Sequence, residues 1–227
     1  MKTSFLLPAS ALLATLFLVG TASAAPLLRV QILPEIRDYA IDPMKGFSPF
    51  YIPMGDENQA REVLVEKYRG YTVSLLGNGT IVGKKMPMGP ANLSCRIRSV
   101  TPEQQTYPYY EVYRAWVGSS KGLSLQVEGL RSQTKYAVTF YAYDFGIPGQ
   151  QRMGANHIED ALNPSVKPVK MKWDSEVDVF TAKSPLKQKA VTLVSTSSKD
   201  GRVLFSITSD DPSHSALLNA FEIEESR

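Results

Sequence analysis

Cysteine is nearly absent from the 227 residues: Cys95 stands alone, so an intrachain disulfide framework and a cysteine-rich zinc site are both excluded. Histidine is almost as scarce. His157 and His214 are the only two, and no His-x-x-x-His or Cys-His spacing for a metal occurs. No Gly-x-Ser-x-Gly elbow is present, and Asp210-Asp211-Pro212-Ser213-His214 reads as turn chemistry rather than as part of a triad. No strong charge of one sign appears either. With 25 Lys+Arg against 22 Asp+Glu the net charge is +3, and the cations are dispersed, which speaks against a nucleic-acid partner. Long apolar runs are missing after the first two dozen residues, so no membrane span is expected in the chain that follows them.

What is present begins with an export leader. Lys2 precedes an apolar run from Phe5 to Gly20, and Thr21-Ala22-Ser23-Ala24 has the small-x-small form of a cleavage site. Residues 1–24 are therefore expected to be removed, leaving 25–227 as one domain outside the cell or in the periplasm. An oxidising exterior gives Cys95 no partner, and it reads as a small buried apolar residue.

Beyond the leader, short apolar runs alternate with Gly, Pro, Asn and Asp turn signals. In Gly122-Leu-Ser-Leu-Gln-Val-Glu-Gly129, Leu123, Leu125 and Val127 share one face, while Ser124, Gln126 and Glu128 are expected to face water. Thr134 to Tyr143 is apolar on both faces and reads as a central strand. Gly70-Tyr-Thr-Val-Ser-Leu-Leu76 ends at a Gly77-Asn78-Gly79 turn. Val191 and Leu193, then Val203, Phe205 and Ile207, continue the alternation, and Leu217 to Ile223 closes the chain with Phe221 and Ile223 inward. Helical pattern is scarce. Asn58 to Lys67 fits either a helix or a strand with Val63 and Val65 inward, and Tyr109 to Val117 has room for one helical turn. About ten short strands with turns between them predict an all-β fold, an antiparallel two-sheet sandwich or jelly roll. The stretch from Phe145 to Asp174, rich in Gly, Pro and Asn, reads as a long functional loop.

Gly46-Phe-Ser-Pro-Phe50, Tyr113-Arg-Ala-Trp-Val117, Leu123 to Leu130 with Thr134 to Asp144, Asp200-Gly-Arg-Val-Leu-Phe205 and Leu218-Asn-Ala-Phe-Glu-Ile223 together carry a resemblance. The chain resembles the galactose-binding-like (malectin-like) β-sandwich modules of secreted bacterial proteins, over nearly all of residues 25–227. The resemblance implies a sandwich fold, in a group whose members are largely of unassigned function. Two departures stand out: Ala115 follows Tyr113-Arg114 where an acidic residue is common, and Gly83-Lys84-Lys85 occupies the place of a polar pair.

Sugar binding uses flat aromatic faces with hydrogen-bonding groups beside them. Tyr107, Tyr109 and Tyr110 around Pro108, Tyr143-Asp144-Phe145, and Trp173 supply the first; Arg114, Asp144, Arg152 and Asn156 supply the second. The candidate ligand-binding set is therefore Tyr107, Tyr109, Arg114, Asp144, Arg152, Asn156 and Trp173. Trp116, Tyr136, Phe140, Phe205 and Phe221 are expected in the core. No catalytic residue is nominated: Asp174, Glu176 and Asp178 alternate along one face and read as a solvated edge, not a carboxylate pair across a cleft. No cofactor is implied beyond a structural calcium, for which Asp56, Glu57, Asp144, Asp210 and Asp211 are the loop acids that could converge. Asn78-Gly-Thr80 and Asn92-Leu-Ser94 match the glycosylation sequon but read as turns in a bacterial protein. The expectation is a secreted, non-catalytic binder of glycan or cell-surface polysaccharide. An assembly protein of the cell exterior is the alternative, and a glycan-active enzyme is third.

Overall fold

The computed structural model describes residues 25–35, 41–53, 63–77, 93–97, 102–106, 110–119, 121–144, 152–153, 156–171, 190–209 and 215–226. Residues 1–24, the 78–80 sequon, Asn92 of the second sequon, Tyr107, Tyr109 and Trp173 lie outside these residues. So do the acids at 56–57, 174–178 and 210–211, and the Gly83-Lys84-Lys85 segment.

In chain order the strands are β1 (Leu28–Glu35), β2 (Ser48–Pro53), β3 (Leu64–Tyr68), β4 (Tyr71–Gly77), β5 (Ser94–Ile97), β6 (Ala115–Ser119), β7 (Leu123–Glu128) and β8 (Lys135–Tyr141). They continue as β9 (Tyr143–Asp144), β10 (Arg152–Met153), β11 (Asn156–Asp160), β12 (Val169–Lys170), β13 (Ala190–Thr196), β14 (Val203–Ser209), β15 (Ala216–Leu218) and β16 (Ala220–Glu225). Helix is confined to single turns at Pro102–Gln105 and Tyr110–Tyr113 among the described residues. The fold is an all-β sandwich, with more strand segments than the ten or so read from the sequence.

A five-stranded sheet, β13-β8-β16-β1-β2, faces a six-stranded sheet, β12-β11-β14-β7-β4-β3. Pairing is antiparallel except between β1 and β2, which run parallel from Val30 opposite Ser48 to Glu35 opposite Pro53. Strand pleating sends alternate side chains inward, and both sheets deliver theirs to one apolar cluster. Val30, Ile32, Val138, Phe140, Phe221 and Ile223 enter from one sheet, and Val73, Leu125, Val127, Phe205 and Ile207 from the other. Phe140 and Phe205 meet edge to face across the layers, their centroids 5.1 Å apart. Trp116, Tyr136, Phe140, Phe205 and Phe221 are all buried, as expected of them.

A third sheet, β15-β6-β5, joins the second end of the chain to the sandwich. The closing segment is two strands, not one. β15 pairs with β6, the chain bends at Asn219, and β16 then runs between β8 and β1. Cys95, on β5, is a buried thiol, in no disulfide, within the main core.

Three further readings are corrected. Segment 58–67 ends as a strand, not a helix, with Leu64 inward and Val65 52% exposed, one position out of register with the expected Val63 and Val65 face. Pairing with β4, which sets Leu64 opposite the buried Leu75, decides this register. Ser124 does not face water: it is buried opposite Ser206, a small-residue pair on the far face of the six-stranded sheet. Finally, the Gly-, Pro- and Asn-rich stretch taken for a loop contains β10, β11 and β12, and β11 is an interior strand between β12 and β14.

Candidate functional site

At one open edge of the sandwich, β1 and β2 of one sheet approach the β3–β4 hairpin of the other. The groove between them has a volume of about 620 Å³, within the roughly 300–1,000 Å³ typical of small-ligand sites. Arg29, Gly46, Phe47 and Ser48 form one side; Lys67, Tyr68, Arg69 and Tyr71 form the other, and Pro26 and Leu27 run along it.

The hairpin side is built by a two-residue turn. Tyr68 and Tyr71 are direct cross-strand partners, so their rings are neighbours on one face, half-buried against the core. Arg69 and Gly70 between them have φ of 36° and 98°, both positive as a primed hairpin turn requires. The turn is seated on Gly129, itself at φ 88°, where an added Cβ would lie 2.1 Å from the Gly70 carbonyl oxygen. The Tyr68 hydroxyl donates to the Pro49 carbonyl at 2.7 Å and ties the two sheets together at the groove floor. Burial, and after it the Glu66 carboxylate, push the Tyr68 phenol above its ordinary pKa.

The other side is held from β1. Arg29 and Glu222 are register partners on β1 and β16, and the guanidinium meets the carboxylate at 2.8 Å. The same guanidinium lies 5.3 Å from the Phe47 ring centroid, a cation–π contact. Phe47 in turn packs edge to face on Tyr141, whose phenol is held above its ordinary pKa by burial first and by Glu222 second. Gln31, wholly buried, donates to the Glu111 carbonyl and accepts from the Met44 amide at 2.7 Å, which fixes the 41–47 segment that carries Phe47.

The residues nominated from the sequence are distributed otherwise. Arg114 closes the helical turn, its guanidinium 5.6 Å from the Tyr110 ring centroid and donating to the Asp42 carbonyl. Asp144 is buried on β9 and stands opposite Arg152 of β10 in the ladder, so these two are brought together. Asn156 is wholly buried on β11. Its amide donates to the Leu217 carbonyl and accepts from the Leu217 amide at 3.1 Å, pinning β15 to β11 from within. Its polar atoms are engaged by the fold. Asp160 is spent in the same way: beside a hollow of about 230 Å³, it accepts from Leu162 and Asn163 amides, the Asn163 side chain and the Ser195 hydroxyl. Among the described residues no group of three or more His, Cys, Asp or Glu is placed to hold a metal ion, and no helix is long and apolar enough to cross a membrane.

The groove residues were not nominated from the sequence. Their signal was Lys67-Tyr68-Arg69-Gly70-Tyr71, aromatics flanking a two-residue turn with Gly second, which pairs the rings once residues 64–68 are a strand.

No family model matches the chain, and no curated protein does. Among solved structures it is similar to the Bacillus subtilis protein YxiM, at 12% identity and a TM-score of 0.45. The match covers 88% of this chain and 40% of that one, so the chain spans well under half the length of that protein.

Proposed function

We propose that the protein is an exported, non-catalytic β-sandwich that binds carbohydrate, a cell-surface or environmental polysaccharide, in the edge groove. The observation that carries this reading is the side-by-side placement of Tyr68 and Tyr71 in an open groove of ligand size, with cationic donors around them. Apolar ring faces stack on pyranose C–H groups, and Lys, Arg and Ser supply directional contacts to hydroxyls. Export rests on the leader pattern of residues 1–24. Tyr107, Tyr109 and Trp173, the aromatics nominated from the sequence, lie outside the described residues, and Tyr109 and Trp173 are tested beside the groove.

A glycan array probed with the exported form tests this. Binding is expected, with a loss of roughly tenfold or more in Tyr71→Ala, the scale of one lost stacking contact. Trp173→Ala and Tyr109→Ala on the same array separate the loop aromatics from the groove. No binding to any glycan, or binding indifferent to all three changes, overturns the reading.

The assembly alternative has one observation in its favour. Val65 on edge strand β3 and Val194 on edge strand β13 are 52% and 48% exposed, so both sheets present an apolar residue at an open edge. Concentration-dependent association in sedimentation, abolished by Val65→Lys or Val194→Lys, would favour it.

A further inference from the structure

Resting on the groove as a saccharide site, we infer that its ligand is acidic, a polysaccharide whose uronate carboxylates are read by Lys67 and Arg69. The chain as a whole is close to charge balance, yet among the described residues the groove lining holds three cations, Arg29, Lys67 and Arg69, and no Asp or Glu. The three are not equivalent. Arg29 is pinned between Glu222 and Phe47, so its charge is already answered and its place is fixed. No acid among the described residues pairs with Lys67 or Arg69, and both are exposed. Glu66 is the acid nearest in sequence, and its field falls on Tyr68. An anionic ligand in the groove therefore meets two exposed cations on the hairpin that no described acid pairs with, and an oriented guanidinium opposite.

Arg69 adds a second, independent observation. It holds φ 36° at the first central position of the turn, a conformation that Asn or Gly adopts at lower cost. Arg69 is exposed there and lines the groove. Backbone conformations of this kind cluster at ligand-binding sites. The tyrosines select a sugar ring and the cations select its carboxylates, at a spacing set by the hairpin.

The test uses affinity electrophoresis of the exported protein in gels holding alginate, polygalacturonate or hyaluronate, the same polymers with carboxylates reduced to alcohols, or polyglutamate. Retardation by at least one polyuronate is expected, with little by its reduced form or by polyglutamate. Lys67→Gln or Arg69→Asn should each weaken it roughly five-fold, the upper end for one exposed ion pair. Arg69→Asn should melt at the same temperature as the parent or higher, so its loss of binding is not a loss of fold. Equal retention on reduced polymer overturns the acidic assignment and leaves the saccharide groove standing. Equal retention on polyglutamate shows charge capture alone and overturns it too. Retention on polyuronate indifferent to both substitutions removes the hairpin as the reader, and no retention on any polymer overturns the groove reading itself.

Discussion

At Asn219 the chain turns inside the protein; at Arg69–Gly70 it turns in water. The Asn219 side chain accepts from the Tyr143 amide at 2.6 Å and donates to the Ala115 and Tyr113 carbonyls at 2.7 and 3.3 Å. Its backbone amide donates to Tyr141, and its carbonyl accepts from Ile32. Every polar group of a wholly buried residue is thus committed, and the result is a sheet-to-sheet corner. The hairpin tip spends none of its side-chain chemistry this way. Arg69 and Lys67 stay exposed, and the turn owes its seat to backbone fit against Gly129. Polar residues that are buried and fully bonded specify the fold, while polar residues left exposed at a rigid turn remain available for a ligand. Asn156 and Asp160 fall with Asn219; Arg69 and Lys67 fall on the other side.

The largest effect should come from emptying the corner. Asn219→Leu keeps the volume but strands one amide and two carbonyls, each costing about 1–3 kcal/mol when buried without a partner. Urea unfolding should show a loss of about 3–5 kcal/mol. A loss under about 1 kcal/mol would mean that water or relaxation replaces the network, and the contrast between the two turns would fail.

Gly129→Ala sharpens the contrast from the other end. The new methyl meets the Gly70 carbonyl at a distance no contact tolerates, and φ 88° is a conformation that Ala resists. About 2–3 kcal/mol of destabilisation is expected, less than at the corner because the hairpin can move outward. Hydrogen exchange should rise in β3 and β4 while β8 and β16 keep their protection. Uniform loss of protection would show that the tip is part of the core rather than a platform set upon it.

The same contrast explains what could be read from the sequence. β7, β14 and β16 were legible because the residues they send into the main core are apolar at every second position, Leu123, Leu125, Val127, Phe205, Ile207, Phe221 and Ile223, and β8 because its apolar run is as long as a strand. Asn156-His-Ile-Glu-Asp160 has one apolar residue, Ile158, and its place as an interior strand comes from partners at β12 and β14, nearly 50 residues away in the latter case. The bend at Asn219 was invisible for a like reason: the apolar pattern runs through it unbroken, and only the change of partner strands marks it. The groove was hidden by a local ambiguity, since its hairpin depends on residues 64–68 being a strand. Of the nominated site, Asp144 and Arg152 do meet across a ladder, which no spacing rule relates.

The smallest effect is confined to alkaline pH and concerns one tyrosine from each region. Tyr141 belongs to the buried cluster under Phe47, and Tyr68 lines the groove. Burial holds both phenols above the ordinary value near 10, and Glu222 and Glu66 respectively add to it. The folded state thus keeps protons that the unfolded state releases. Below pH about 10 both forms are neutral and the contribution is complete; as pH rises past that point the unfolded chain ionises first and stability falls. Melting temperatures at pH 8, 9.5 and 11 should therefore decline more steeply for the parent than for Tyr141→Phe or Tyr68→Phe. At pH 8 Tyr68→Phe should be weaker than the parent by about 1 kcal/mol, because the bond to the Pro49 carbonyl is gone. The parent and variant curves should then converge as the pH rises. Curves that fall in parallel would mean that neither phenol is the group whose ionisation loosens the sandwich, and the shared floor of groove and core would have to be held by something other than these two rings.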